Sequence, residues 1–127
     1  MADEFRIHRF EVSADCSDIR REEAERTFFD HAMLALPESY RETGGPTRLV
    51  INCHGAGGTV SADGSQVEEQ VITKYLLANG YAVMDTNGLP EAFAGQAGID
   101  IRNNVGSPIA VQCYVKAYHF CVENFNL

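Results

Sequence analysis

The chain has 127 residues, of which 45% are hydrophobic and 22% charged, with a formal net charge of −8. That is the length of one ordinary domain around a single core, so one domain spanning 1–127 is expected, and the composition is neither disordered nor collagenous. The basic residues are scattered, which leaves no footprint for nucleic acid or an anionic membrane, and neither a leader-like stretch nor a run of membrane-span length occurs, so a cytoplasmic protein is expected.

In chain order, EFRIHRFEVSA (4–14) alternates apolar and polar residues, with a change of parity between Ile7 and Phe10. This predicts a strand with a bulge near His8 and Arg9. The charged stretch that follows reads as a solvated loop or short helix, and HAMLALP as a second strand ended by Pro37. ESYRETGGP is dense in turn formers and reads as a loop. RLVINC is a continuous apolar run with β-branched residues, expected as a central strand covered on both faces.

After the glycines, Ser65 and Glu68 match a capping box, and Val67, Val71, Ile72, Tyr75 and Leu76 share a helical face that Asn79-Gly80 ends. YAVMD is the next strand, so strand, glycine loop, helix and strand form a βαβ unit, for which a right-handed crossover is expected. Residues 86–106 read as loop. Ser107 as N-cap and Pro108 at the first helical position then open a last helix. Its inner stripe is Ala110, Cys113, Tyr114, Ala117, Tyr118, Cys121 and Phe125, widened by Val111, Val115 and Val122, so it wants cover on more than one side.

Cys16, Cys53, Cys113 and Cys121 form no C-x-x-C pair, and no disulfide framework is expected. Cys53 reads as a buried thiol whose side chain points away from that of its neighbour His54. His8, His31 and His119 lie on separate elements without ligand spacing, so no metal is expected, and they read as solvated or core histidines.

The motif with chemical content is CHGAGG, between the RLVINC strand and the helix. A dinucleotide fingerprint fails because Val60 stands where the third glycine is needed, and a P-loop fails because residues 55–65 contain no lysine. No cofactor is therefore expected. An oxyanion hole remains, since small residues let backbone N–H groups approach the oxygen that becomes negative in acyl transfer. His-Gly-x-Gly-Gly after the third strand is the form of this device in lipases and esterases.

The stretch LPESYRETGGPTRLVINCHGAGG resembles the opening of a serine esterase or lipase of the α/β-hydrolase superfamily, and the likeness runs over about residues 30–127. It implies a partial α/β-hydrolase sheet: N-terminal antiparallel strands, then a parallel βαβ unit, with flanking helices. It makes the Ala56 and Gly57 amides the oxyanion donors, with His54, Gly55 and Gly58 shaping the loop. It also places the RLVINC strand between the YAVMD strand and the strand that ends in the nucleophile.

The family's G-x-S-x-G elbow occurs nowhere in the sequence, and no nucleophile, acid or base can be assigned. The resulting expectation is an N-terminal fragment of a serine ester hydrolase. It would supply the oxyanion hole for a small ester substrate but be inactive alone. The alternative is a complete, non-catalytic α/β module. It would form a homodimer through an exposed strand edge at residues 48–53, or bind a small anionic ligand at the glycine turn.

Overall fold

The computed structural model describes residues 6–16, 27–54, 58–60, 65–98 and 107–127. Two long strands, β1 (Arg6–Asp15) and β2 (Thr27–Leu36), form an antiparallel ladder running one-to-one from Arg6 opposite Leu36 to Asp15 opposite Thr27. No residue is left over, so the expected bulge near His8 and Arg9 is absent. The parity change has another cause: Phe10, Val12 and Ala14 face the core, while Ile7 is an apolar residue on the outer face, 39% exposed. The second strand also begins earlier than HAMLALP, at Thr27, taking in TFFD; the remainder of the charged stretch, 17–26, lies outside the described residues.

The short strand β3 (Leu49–Ile51) runs parallel to β6 (Ala82–Thr86), and β6 lies antiparallel to β2. The sheet order is β1-β2-β6-β3, a mixed α/β sheet of antiparallel strands plus one parallel pair. Between β3 and β6 lie the two-residue strands β4 (Gly58–Thr59) and β5 (Ser65–Gln66), a 3-10 turn (Val67–Glu69) and helix α1 (Val71–Ala78). The RLVINC strand is therefore an edge among the described residues, not a covered central strand: Leu49 and Val50 are half-buried and Ile51 is exposed.

Helix α1 departs from its predicted phase. Gln70, in extended conformation, is its N-cap, so Ser65 and Glu68 both lie before the helix rather than at its N-cap and third position. The 3-10 turn and extended Gln70 reset the periodicity counted from Val67. Thr73 and Leu77 face inward, one helical turn apart, while Val71, Ile72 and Tyr75 are exposed. Residues 86–106 are not loop throughout, because α2 (Glu91–Ala97) forms after Pro90 and ends at Gly98, whose φ of +70° suits a residue without Cβ. Residues 99–106 lie outside the described residues.

Helix α3 (Pro108–Asn124) opens as expected, with the Ser107 hydroxyl accepting from the Ala110 N–H at 3.1 Å and Pro108 in the first turn. Ala110, Cys113, Ala117 and Cys121 are buried, joined by Ile109, and Phe120 stacks on Phe10 of β1 with centroids 4.1 Å apart. Val111, Val115 and Tyr118 are exposed, so one side of the wide apolar stripe has no cover among the described residues.

Alternation in β2 divides the core in two. Phe28, Ala32, Leu34 and Leu36 pack with Met84, Phe93 and α3 on one face, and Met33 and Ala35 pack with Val60, Val67, Leu77 and Val83 on the other. No helix among the described residues is long and apolar enough to cross a membrane.

Candidate functional site

The parallel strands β3 and β6 end side by side, with Val50 opposite Val83 and Ile51 opposite Met84. Beyond this register the chain is polar on both sides: Asn52-Cys53-His54 after β3, and Asp85-Thr86 closing β6 with Asn87 just after it. Asp85, Thr86, Asn87 and Thr59 are all fully or almost fully buried, which in a protein interior demands hydrogen-bonded partners.

Asp85 is the centre of the arrangement. Its Oδ2 accepts from the Asn52 side-chain amide at 2.8 Å and from the His54 backbone N–H at 3.2 Å. Its Oδ1 accepts from the Thr86 N–H at 2.8 Å and from the Tyr114 hydroxyl at 2.5 Å, and lies 3.1 Å from His54 Nδ1. Five donors converge on two oxygens, filling the acceptor capacity of a carboxylate.

The network assigns the Nδ1 proton to His54, since that nitrogen faces a carboxylate oxygen. Burial, and then the Asp85 charge, push the Tyr114 hydroxyl far above its ordinary range and keep it a neutral donor. One carboxylate thus holds both the main chain and the ring of His54.

Asn87 holds the residues that follow the glycine motif. Its Oδ1 accepts from the Thr59 hydroxyl and from the Val60 N–H, each at 2.9 Å, and its own N–H donates to the His31 carbonyl of β2 at 3.1 Å. Gly58 lies against the His54 side chain: a Cβ placed on it would sit 2.8 Å from His54 Cβ and 2.9 Å from His54 Cδ2. At this position glycine is required by close approach, because its φ is not in the left-handed region.

A second buried carboxylate, Asp30 on β2, accepts from the Gly88 N–H at 2.8 Å and fixes the turn after Asn87. Burial pushes its pKa up to about 6, against lowering by the Gly88 amide, the Cys113 thiol and His31.

Of the predicted site residues, His54 and Gly58 belong to this cluster, whereas Gly55, Ala56 and Gly57 lie outside the described residues. Cys53 is exposed rather than buried, because the strand it follows is an edge, and all four cysteines are free thiols. His8 and His119 lie away from the cluster, in ring contact with Phe125 and Tyr118 respectively. Among the described residues no group of three or more His, Cys, Asp or Glu side chains is placed to hold a metal.

Sequence reasoning passed over Asn52, Asp85, Asn87 and Tyr114. Asp85 and Asn87 carried a readable signal, polar residues at the end of an apolar run that was expected to be a strand. Tyr114 carried none, since its place in the stripe of α3 reads equally as packing.

Comparison of the chain with protein-family models, with curated proteins and with solved structures finds no match.

Proposed function

We propose that this chain provides the oxyanion side of a serine ester hydrolase, with Ala56 and Gly57 as the amide donors and the nucleophile supplied from outside these residues. The observation that carries the reading is the placement of the residues on either side of the glycine motif. His54 and Thr59 are tied to Asp85 and Asn87 near the carboxyl ends of two adjacent parallel strands, where ligands of open α/β sheets bind. The sheet order supports it too. Among the described residues β3 lies between β6 and an open edge, which is the side on which the hydrolase resemblance puts the nucleophile strand.

In the mechanism so read, an external serine attacks the ester carbonyl. The turn amides then stabilise the oxygen that gains the negative charge.

The test is labelling with a serine-directed fluorophosphonate, on this chain and on a product that continues the same reading frame through a G-x-S-x-G. The chain alone should stay unlabelled and the longer product should react. Gly57→Pro in that product should lower ester hydrolysis by about 10²–10³, the effect of losing one oxyanion donor. Labelling of this chain, or full hydrolysis by the Gly57→Pro variant, would overturn the reading.

The β3 edge, open among the described residues, favours a second reading, a homodimer formed by pairing residues 48–53 of two copies; Ile51 on this edge is 45% exposed. Light scattering over a concentration series decides it: a monomer throughout rules the dimer out.

A further inference from the structure

At the end of the sheet away from Asp85, the start of β1, the end of β2 and the end of α3 surround a hollow of about 580 Å³. That volume falls within the roughly 300–1,000 Å³ of small-molecule sites. Six of its lining residues carry the chemistry: Arg6 and His8 of β1, Tyr40 and Glu42 from the loop after β2, and Glu123 and Phe125 at the end of α3.

The walls are fixed by bonds between distant segments. The Asn126 N–H donates to the Tyr40 hydroxyl at 3.0 Å, its side-chain amide donates to the Arg41 carbonyl at 3.1 Å, and its own carbonyl accepts from the Thr47 N–H at 3.0 Å. The loop that carries Tyr40 and Glu42 is thereby held to the residue after Phe125. Tyr40 is buried, its ring meets Phe125 edge-on with centroids 6.4 Å apart, and the His8 ring lies 4.9 Å from that of Phe125.

Arg6 is oriented as well. Its guanidinium carbon lies 5.0 Å from the centre of the Tyr40 ring, and it donates to the Tyr40 carbonyl at 3.3 Å. One of its five N–H donors is thus used, which leaves enough for a carboxylate held by two parallel bonds.

The opposite charge lines the same hollow. Among the described residues neither Glu42 nor Glu123 is paired with Arg6, with His8 or with any other cation. The carboxyl end of α3 adds negative potential on the Glu123 side. A simple anion is drawn to Arg6 but repelled by both carboxylates, and a simple cation is drawn to the carboxylates but repelled by Arg6. A molecule that carries both charges gains from all three groups, and an apolar side chain on it can pack on the Phe125 ring.

We propose that this hollow binds a free α-amino acid with an apolar side chain, its carboxylate on Arg6, its ammonium between Glu42 and Glu123, and its side chain against Phe125.

The experiment titrates this chain, ¹⁵N-labelled, with phenylalanine and follows the Phe125 and Asn126 amides and the Arg6 Nε–H. These signals should shift saturably in the millimolar range. 3-Phenylpropanoate, which lacks the ammonium, and phenethylamine, which lacks the carboxylate, should each bind at least fivefold more weakly. Arg6→Gln should weaken phenylalanine at least fivefold. Glu42→Gln combined with Glu123→Gln should weaken phenylalanine but tighten 3-phenylpropanoate, a pair of opposite changes that a loss of structure would not produce. Lys74→Gln, on exposed α1 and paired with Glu69, should leave phenylalanine binding unchanged. The proposal is overturned if phenylalanine gives no saturable shift, if 3-phenylpropanoate binds the wild type as tightly, if Arg6→Gln keeps full affinity, or if the shifts centre on His54 and Gly58 instead.

Discussion

Asp85→Asn is the sharpest perturbation of the cluster, because it changes one atom and removes the charge without changing shape. The amide can be placed in two orientations, and both fail. With its NH₂ at the Oδ2 position it faces the His54 backbone N–H at 3.2 Å, and with its NH₂ at the Oδ1 position it faces the Thr86 backbone N–H at 2.8 Å. Neither backbone group can become an acceptor, so one buried donor is unsatisfied in either orientation, at a cost of about 1–3 kcal/mol. The remaining bonds lose an ionised acceptor, and bonds to charged groups are worth about 1.5–3 kcal/mol each.

The expected loss is about 3 kcal/mol or more, a large part of the roughly 5–15 kcal/mol that stabilises a domain of this kind. Urea denaturation followed by circular dichroism measures it, with the slope of the transition unchanged and the midpoint lowered. In a thermal scan the same loss amounts to roughly 10–20 °C. A change below about 1 kcal/mol would refute the reasoning, because it would mean that the five donors do not converge on an ionised carboxylate.

Gly58→Ala should cost about 1–3 kcal/mol in the same denaturation assay, since the new Cβ overlaps the His54 side chain at 2.8 Å and the ring is held by Asp85. Asp30 sets a pH dependence. Its folded pKa, raised from 3.8 to about 6, means that the native state binds more protons than the unfolded state between these values, so its contribution to stability falls as pH rises through that window. Asp30→Asn keeps an acceptor for Gly88 and should therefore be more stable than the wild type at pH 7, by roughly 3 kcal/mol, an advantage that shrinks towards pH 4 in paired urea titrations. Maleimide should modify Cys53 alone in the native protein and all four cysteines in urea, because Cys16, Cys113 and Cys121 are buried and burial pushes their thiols up, that of Cys16 to about 11 and that of Cys121 to about 12. Native modification of two or more thiols, counted by mass spectrometry, would contradict the packing of α3 on the sheet.

What the sequence by itself determined is local. The α/β alternation, the stop of β2 at Pro37, the Ser107 cap with Pro108 and the buried positions Ala110, Cys113, Ala117 and Cys121 all follow from hydrophobic period and from backbone rules that act within one turn or one strand. Even α2 had its signals, Pro90 before it and Gly98 after it.

What only the tertiary structure decided depends on which elements meet. Ile7 made an outer-face residue look like a bulge, and the break at Gln70 turned Val71, Ile72 and Tyr75 outward. An apolar run read as a central strand is an edge among the described residues, and Cys53 after it is exposed.

The cluster around Asp85 shows the same division. The CHGAGG motif marked His54 and Gly58, but Asn52 and Asp85 are 33 positions apart, and Tyr114 joins Asp85 from a further 29. Their meeting requires the parallel register of β3 on β6 and the crossing of α3 over the sheet. Long-range pairing of buried polar groups leaves no periodic trace along the chain, and for that reason the residues that hold His54, Thr59 and Val60 became visible only in three dimensions.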